Sequence, residues 1–312
     1  MELWDNNFYN LRNDYIIPLV SYQGNYSKSV YNNLKATLSS GFNNIVNLSG
    51  KTFEIEIDSD RFYKCLINDI ELFYTRTIIQ YVDVENSRLS SNSWRFVTQY
   101  YFSFFSVTTL FRILKFGFTF FSKQEVDSFN ILATSILKSK VQITTGNYSF
   151  KYLRLETNGN VIVELSEVGE GIHNKTWHKA SDLINTFYTK SDNDEKTILS
   201  ILKQMAKEYK GDFPSEMRNT INYHGQFGMD SINNRFIFSD TILPVEKYIK
   251  KILAYKKSEE LNNKAEDVGL FGYYFFLMTH ELLKDYHSRV WVKNDFQKAR
   301  AIFLRKRGVT IF

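Results

Sequence analysis

The sequence predicts a mainly α-helical bundle with a small antiparallel β-hairpin or sheet inserted into it. Only 3 of the 312 residues are proline, so long helices can run without interruption. Apolar residues recur at three- and four-residue spacing over most of the chain, as they do on the buried face of a helix. Alternation with a period of two, which is typical of strands, is confined to a short run near residue 52 and a longer tract at residues 141–166.

The first part of the chain, residues 1–58, is predicted to be a helical segment with one short strand. Helices are expected at residues 5–20 and 27–47, because a Gln-Gly-Asn sequence separates the two periodic runs and a Ser-Gly pair follows the second. Residues 52–57 alternate between polar and apolar side chains and predict a strand.

Residues 59–312 are predicted to form the main helical domain, with the β insertion at about 141–166. Inside the insertion, Asn158-Gly159 separates two alternating runs, and both residues tolerate positive φ, so the pair predicts a hairpin turn. Strands are expected at residues 141–144, 150–155 and 161–165. Helices are expected at residues 62–82, 94–116, 176–188, 194–210, 216–223, 245–257, 268–287 and 295–307.

The helix predicted at residues 94–116 is apolar around most of its circumference, as expected of a central helix. Aromatic residues make up 16% of the chain and crowd positions 100–105, so we expect a packing centre there. The functional alternative is that exposed rings stack on nucleic-acid bases. Arg112 and Lys115 interrupt the apolar run, so a buried helix is expected and no membrane association.

Charge and cysteine content indicate the setting of the protein. The formal net charge of +5 permits contact with nucleic acid, but it is far weaker than that of a dedicated duplex binder. Cys65 has no second cysteine to pair with, and the first 22 residues show no leader pattern, so a cytoplasmic location is expected.

The last quarter of the chain is the most basic, and its cations either contact an RNA backbone or are solvated: Lys247, Lys250, Lys251, Lys256, Lys257, Lys298, Arg300, Arg305, Lys306 and Arg307.

The strongest functional signal is Arg218-Asn219 followed by His224-Gly225. Arginine can hold a phosphate, and histidine can transfer a proton near neutral pH. Positions six apart on an ideal helix differ in direction by about 120°. A helix that ends at Gly225 relaxes this limit, because its last turn can bring His224 toward the long side chain of Arg218.

In its helical context this motif resembles the signature of HEPN domains (higher eukaryotes and prokaryotes nucleotide-binding). The resemblance implies a HEPN-like bundle and metal-independent RNA cleavage, without a cofactor, in bacterial toxins or in antiviral defence by abortive infection. It also implies a homodimer, since a single His224 cannot easily take one proton and give another in the same reaction. Arg218 would bind the phosphate and Asn219 would orient the phosphate or the histidine, while Asn222 and Tyr223 would line the substrate cleft.

Two alternative interpretations stay open. In the first, Arg218 is a surface ion-pair partner of Glu216 or Asp212, and His224 caps its helix. In the second, the chain is a non-catalytic HEPN-like scaffold that binds RNA or a protein partner, with the hairpin at residues 141–166 as its docking element. A regulatory protein that restrains the nuclease is a further partner that the resemblance makes plausible.

Structural roles are expected for the other histidines. His280 and His287 lie seven apart, whereas helical zinc sites usually use four-residue spacing, and no third ligand is evident. His173 and His178 flank Trp177 near a predicted helix start, where packing and capping are expected. The sequence contains neither a phosphate-loop nor a dinucleotide-loop motif.

Overall fold

The computed structural model describes residues 6–22, 33–49, 51–86, 92–169, 171–208, 211–223, 245–256, 261–291, 293 and 295–308. Within these ranges the protein is mostly helical with one antiparallel sheet, so the mainly α prediction is confirmed at that level. The helices are α1 (Asn6–Leu11), α2 (Ile17–Val20), α3 (Leu34–Ser40), α4 (Ser59–Asn86), α5 (Asn92–Ile113), α6 (Lys123–Leu137), α7 (Ile172–Lys190), α8 (Asn193–Glu208), α9 (Phe213–Tyr223), α10 (Val245–Leu253), α11 (Leu261–Arg289) and α12 (Asp295–Arg307).

The predicted helix at residues 5–20 is present, but it is not regular throughout. A π-helical segment, Arg12–Ile16, separates α1 from α2. Pro18 follows this segment at the start of α2. A proline ring and its missing N–H disrupt the regular ladder of helical hydrogen bonds, so the wider turn lies where the ladder is weakest.

The sheet has five strands in the order β1-β2-β5-β4-β3, and every pair is antiparallel. The strands are β1 (Asn44–Ser49), β2 (Thr52–Asp58), β3 (Phe116–Phe121), β4 (Gly146–Leu155) and β5 (Asn160–Val168). The predicted turn joins β4 to β5, and Gly159 has a φ of +83° as this turn requires. Because β5 also pairs with β2 and β4 with β3, the hairpin forms the middle of the sheet, and neither of its strands offers an open edge for docking.

The helix predicted at residues 27–47 is wrong in its second half. α3 ends at Ser40 with Gly41 as its C-terminal cap, and β1 follows. The backbone of β1 pairs with β2, from Asn44 opposite Glu56 onward. A strand gains its hydrogen bonds from a partner strand, so its own sequence indicates it only weakly. Residues 27–32 of the predicted helix lie outside the described residues.

The helix predicted at residues 94–116 stops before its predicted end, because Phe116 already belongs to β3. The chain breaks at Lys115, whose φ of +60° is unusual for a residue with a long side chain. Contacts compensate for this conformation: Lys115 Nζ donates to Tyr63 Oη at 3.2 Å and lies 4.7 Å from the ring centroid of Tyr152. The break therefore depends on packing, which the local sequence does not indicate.

Residues 141–144 form no strand within the described part of the chain, so the strand predicted there is wrong. Side chains of α6 satisfy this backbone instead. Asn130 Oδ1 accepts from the N–H of Ile143 at 2.8 Å, and Asn130 Nδ2 donates to its carbonyl at 3.3 Å. Thr134 Oγ1 accepts from the N–H of Val141 at 3.2 Å. Val141 and Ile143 are therefore buried in alternation with their exposed neighbours, although this segment has no hydrogen-bond ladder with another strand.

The chain divides into two compact units. Unit 1 comprises Met1–Asp14, Phe73–Leu110 and His173–Asp285, and unit 2 comprises Tyr15–Leu72, Phe111–Ile172 and Tyr286–Phe312. In the part of the chain that the structure describes, unit 1 is helical and unit 2 contains the whole sheet.

Unit 1 is built around aromatic residues of α5 and α11. Phe102 packs on Phe276 with ring centroids 5.0 Å apart, and Phe276 stacks on Tyr81 at 5.9 Å. The two helices approach closely at Gly272, where an added Cβ would lie 2.1 Å from the Cβ of Ser103. The packing centre predicted in α5 is therefore confirmed.

Unit 2 contains a buried carboxylate with a full set of partners. Glu71 is 0% exposed. Arg300 Nη1 donates to it at 2.8 Å, Gln297 Nε2 donates at 3.0 Å, and His287 Nε2 lies 2.5 Å away. Burial acts to raise the pKa of Glu71, but the charges of Arg300 and His287 outweigh burial and lower the pKa to about 2. Arg300 is thus committed to an internal ion pair, which argues against both alternatives considered for it, a contact with RNA and a solvated position.

A second buried arginine of unit 2 is also paired. Arg112 is 3% exposed and forms an ion pair with Asp69 through Nε. Its other nitrogens donate to the carbonyls of Phe116 and Phe118 at 3.3 and 2.9 Å. Gly117 leaves room for this group, since an added Cβ would lie 1.5 Å from Arg112 Nη1.

Among the described residues, no helix has the length and apolarity that crossing a bilayer requires.

Candidate functional site

Helix α9 positions the predicted motif within unit 1. Phe213, Met217 and Ile221 recur at four-residue spacing and are all buried, so one face of the helix is fixed in the core. Arg218 follows Met217 at the margin of this face and is partly buried. The apolar neighbours of Arg218 therefore fix its backbone, and its side chain lies against the tyrosines of α5.

Neutral groups hold the guanidinium of Arg218. Nη1 donates to the Tyr101 hydroxyl at 3.4 Å, and Nη2 donates to Asn219 Oδ1 at 2.6 Å. Cζ lies 5.5 Å from the centroid of the Tyr100 ring, which is within the range of a cation–π interaction. The buried Nε–H has no hydrogen-bond acceptor among the described residues. Arg218 therefore keeps an unused donor beside a fixed positive charge.

These contacts do not favour the alternative in which Arg218 is a surface ion-pair partner. Of the two carboxylates considered, Asp212 lies 3.8 Å from Nε2 of His178, and Glu216 is exposed. The contacts described for the guanidinium are with uncharged side chains. Within the described residues, its charge is thus not neutralised by direct contact.

Tyr100 is the centre of the cluster around Arg218. Its hydroxyl accepts from Trp177 Nε1 at 3.2 Å and lies 2.7 Å from His173 Nδ1. The indole can only donate, so we assign the tyrosine proton to the bond with His173, whose Nδ1 then accepts. Phe104 stacks on the imidazole with centroids 4.4 Å apart. With this assignment, His173 keeps its Nε2–H as a donor.

The same surroundings set the charges of the cluster. Burial, reinforced by the positive charge of Arg218, lowers the pKa of His173 to about 4. Burial raises the pKa of Tyr100 to about 12, although the hydrogen bond from Trp177 and the charge of Arg218 act in the opposite direction. Near neutral pH the cluster therefore combines a neutral imidazole, a protonated phenol and a guanidinium cation.

The structure locates part of the predicted site. Asn219 is exposed and accepts a hydrogen bond from Arg218, and Asn222 is exposed on the same helix. Tyr223 is the last residue of α9, and His224 lies outside the described residues. The pairing of Arg218 with His224 stays a prediction.

His173, Tyr100 and Tyr101 were not among the predicted site residues. Packing was expected for His173, and its stacking on Phe104 agrees with that expectation. What was missed is the proximity to Arg218, because Tyr101 and Arg218 are 117 positions apart. The sequence does show a tyrosine-rich helix and a histidine at a helix start, but neither pattern reports which other helix lies beside it. Of the two tyrosines, Tyr101 is partly exposed and Tyr100 is buried.

The other described histidines have protein partners. His280 Nδ1 lies 2.6 Å from Tyr74 Oη, and His287 Nε2 contacts Glu71. These contacts confirm the structural roles predicted for them. Within the ranges that the structure describes, no group of three or more His, Cys, Asp and Glu side chains is arranged to hold a metal ion.

No protein-family model, curated protein or solved structure matches this chain. The chemistry of the cluster around Arg218 indicates which class of ligand it can bind. Among the described residues, the hydrogen-bonding capacity that this cluster leaves unused consists of donors: a guanidinium N–H, the imidazole N–H of the assigned tautomer and a partly exposed phenol. Donors grouped around a positive charge favour an anion, and phosphate oxygens accept such donors strongly.

Proposed function

We propose that the protein is a metal-independent endoribonuclease of the HEPN type, with Arg218 and His224 as its catalytic pair. The observation that carries the proposal is the state of Arg218: its guanidinium is fixed by neutral partners and keeps an unused N–H. A fixed cation that has no counter-ion among the described residues is suited to a phosphodiester and to the extra negative charge of the transition state. The other support is the resemblance of residues 218–225 to the family motif.

In this proposal the ribose 2′-hydroxyl attacks the adjacent phosphorus, and the bond from phosphorus to the leaving 5′-oxygen breaks. One group takes the proton of the 2′-hydroxyl, and another gives a proton to the leaving oxygen. His224 supplies one of these transfers, and the His224 of a second copy supplies the other. Arg218 binds the phosphate, and Asn219 exchanges its hydrogen bond with Arg218 for one with the substrate. The products are a 2′,3′-cyclic phosphate and a 5′-hydroxyl.

The test is cleavage of single-stranded RNA by the purified protein in the presence of EDTA. We expect products with 2′,3′-cyclic phosphate ends and no cleavage of DNA of the same sequence, which lacks the attacking hydroxyl. Arg218→Ala and His224→Ala should each reduce the rate by roughly 100- to 1,000-fold.

Two matched control variants separate the site from general effects on the fold. Arg76 also lies over aromatic rings in unit 1, at 5.3 Å from Phe73 and 5.8 Å from Phe105. His178 shares α7 with His173. Arg76→Ala and His178→Ala should keep the wild-type cleavage rate. Equal cleavage by Arg218→Ala, His224→Ala and the wild type would rule out the proposed pair.

The expected homodimer has its own test. If one composite site needs two His224 side chains, mixing wild type with His224→Ala should lower activity with the square of the wild-type fraction. Independent sites would give a linear decrease. RNA binding that survives His224→Ala, together with no cleavage by the wild type, would instead assign the chain to a non-catalytic scaffold.

A further inference from the structure

His173 belongs to the same side-chain cluster as Arg218, although the catalytic motif does not include it. The His173 ring lies edge-on to Tyr101 at 6.1 Å and stacks on Tyr100 at 5.8 Å. Arg218 donates to Tyr101 and lies over Tyr100. The two basic side chains therefore share both tyrosines as neighbours. All of these residues belong to unit 1.

The charges around His173 are of one kind. Among the described residues, the titratable or charged groups that face it are Tyr100 and Tyr101 on α5 and Arg218 on α9. None of these is a carboxylate, and the tyrosines are uncharged near neutral pH. The nearest formal charge is thus the guanidinium, which repels a proton on His173. An anion bound at Arg218 would remove this repulsion.

We propose that Arg218, Tyr101 and His173 form the binding site for one phosphodiester group of the RNA backbone, and that at acidic pH His173 takes up a proton from solvent when the phosphodiester binds. This proposal rests on the proposed function for its ligand class. Arg218 supplies the N–H groups of Nη1 and Nη2 that its bonds to Tyr101 and Asn219 leave unused, Tyr101 supplies a hydroxyl, and His173 supplies its Nε2–H. His173 is a binding residue in this scheme, distinct from the proton transfer assigned to His224.

The proton uptake follows from the geometry and the charges together. Burial and the Arg218 charge hold the pKa of His173 at about 4 in the free protein. A bound phosphodiester anion offsets the second of these causes, so the pKa rises on binding. By linkage, the ligand then binds more tightly at low pH. A rise of about one unit makes binding about fivefold tighter at pH 4 than at pH 7.

The experiment is a histidine NMR titration of the full chain with dimethyl phosphate as the probe. This probe cannot be cleaved by the proposed reaction, and it stays singly charged over the pH range used. The chain has 5 histidines, so each resonance can be assigned by single substitution. We expect the pKa of His173 to rise by at least about one unit with saturating probe. Sodium chloride at the same ionic strength should not reproduce the shift.

Variants then identify the partner. In Arg218→Gln the probe should no longer shift the His173 titration, whereas in Arg76→Gln the wild-type shift should persist. His173→Gln should still bind the probe at pH 7 but lose the tighter binding at low pH. An unchanged His173 titration in wild-type protein at the highest soluble probe concentration overturns the proposal, and so does a full shift in Arg218→Gln.

The outcome is separable from that of the proposed function. If the wild type cleaves RNA while dimethyl phosphate leaves the His173 titration unchanged, the phosphodiester site is wrong and the nuclease assignment stands. If the probe shifts His173 but RNA is not cleaved, the site stands and the nuclease assignment is wrong. Folding of each variant is checked by circular dichroism before either assay.

Discussion

Arg218 in unit 1 is partly buried and Arg300 in unit 2 is buried, and the partners of the two guanidinium groups differ in kind. Arg300 is 8% exposed and donates to the carboxylate of Glu71, which also contacts His287 and Gln297. Arg218 has a phenol, an amide and an aromatic face around it. One positive charge is neutralised inside the fold, whereas the other has no counter-ion among the described residues.

The difference separates a stabilising role from a binding role. A buried charge with its counter-ion in place becomes costly as soon as one partner is removed. A charge with only neutral partners gains most when a ligand supplies the opposite charge. Losing Arg300 should therefore damage the fold, and losing Arg218 should damage binding while leaving the fold largely intact. The following predictions test this contrast.

The largest effect is expected for Arg300→Met. Glu71 would remain buried without its main cation, so the free energy of unfolding should fall by about 3–5 kcal/mol. Urea denaturation at pH 7 measures this loss. The double variant Glu71→Gln/Arg300→Met removes both charges and should recover part of it. A loss of under about 1 kcal/mol would mean that the pair behaves like an exposed ion pair.

A smaller loss is expected for Gly117→Ala, because the new methyl group would displace Arg112 Nη1. Overpacking of this kind costs about 1–3 kcal/mol. Gly146→Ala is the matched control on the same sheet, since an added Cβ there meets nothing within 4 Å. Urea denaturation should show a loss for Gly117→Ala and almost none for the control. Equal losses would argue that Arg112 can move without a cost.

A still smaller loss is expected for Arg218→Met, which removes a cation–π contact of about 0.5–2 kcal/mol and leaves no charge unpaired. The same substitution should raise the pKa of His173, because the Arg218 charge helps to lower it. Urea denaturation and histidine NMR measure the two effects. A loss as large as that of Arg300→Met would remove the distinction between the two arginines.

A separate effect is expected in the pH dependence of stability. Folding lowers the pKa of His173 from 6.5 to about 4, so its contribution is complete above pH 6.5 and is lost as the pH falls toward 4. Folding lowers the pKa of Glu71 from 4.5 to about 2, so that contribution is complete above pH 4.5 and is lost as the pH falls toward 2. The effect of His173 is reduced by solvent screening, because this residue is only partly buried.

Two variants separate these windows in urea denaturation at a series of pH values. His173→Gln should remove the loss of stability between pH 6.5 and 4 and keep the loss below that range. Glu71→Gln, although less stable, should keep the upper window and lose the lower one. Identical pH profiles for His173→Gln and the wild type would show that the histidine carries no such linkage.

The fold was predictable where local chemistry determines it. The Asn158-Gly159 turn requires positive φ, and α12 has the predicted bounds because its periodic run begins after a clear break. Ser122 and Glu125 form a capping box at the start of α6, a signal that is present in the sequence although the helix was not predicted. β1 was not predictable in this way, because only its Ile45 is buried and its residues do not alternate between polar and apolar. β3 was not predictable either, because it pairs with the distant β4 and follows the packing-dependent break at Lys115.

The candidate site was predictable only along one helix. Arg218 and Asn219 are adjacent residues, so their contact lies within reach of sequence analysis. The neighbours that set the charge environment come from α5 and α7, and spacing within a helix carries no information about them. His173 illustrates the limit: its packing was expected, but its proximity to a cation depends on how three helices assemble.

The pairing of Glu71 with Arg300 has a consequence for biosynthesis. The two residues are separated by 229 positions. At a translation rate of roughly 5–20 residues per second, the ribosome needs on the order of ten seconds or more to reach Arg300 after Glu71 has been made. During this interval the carboxylate of the nascent chain lacks the cation that balances it in the finished protein. The pair can therefore form only after Arg300 has been translated, and chaperones have that time in which to bind the chain.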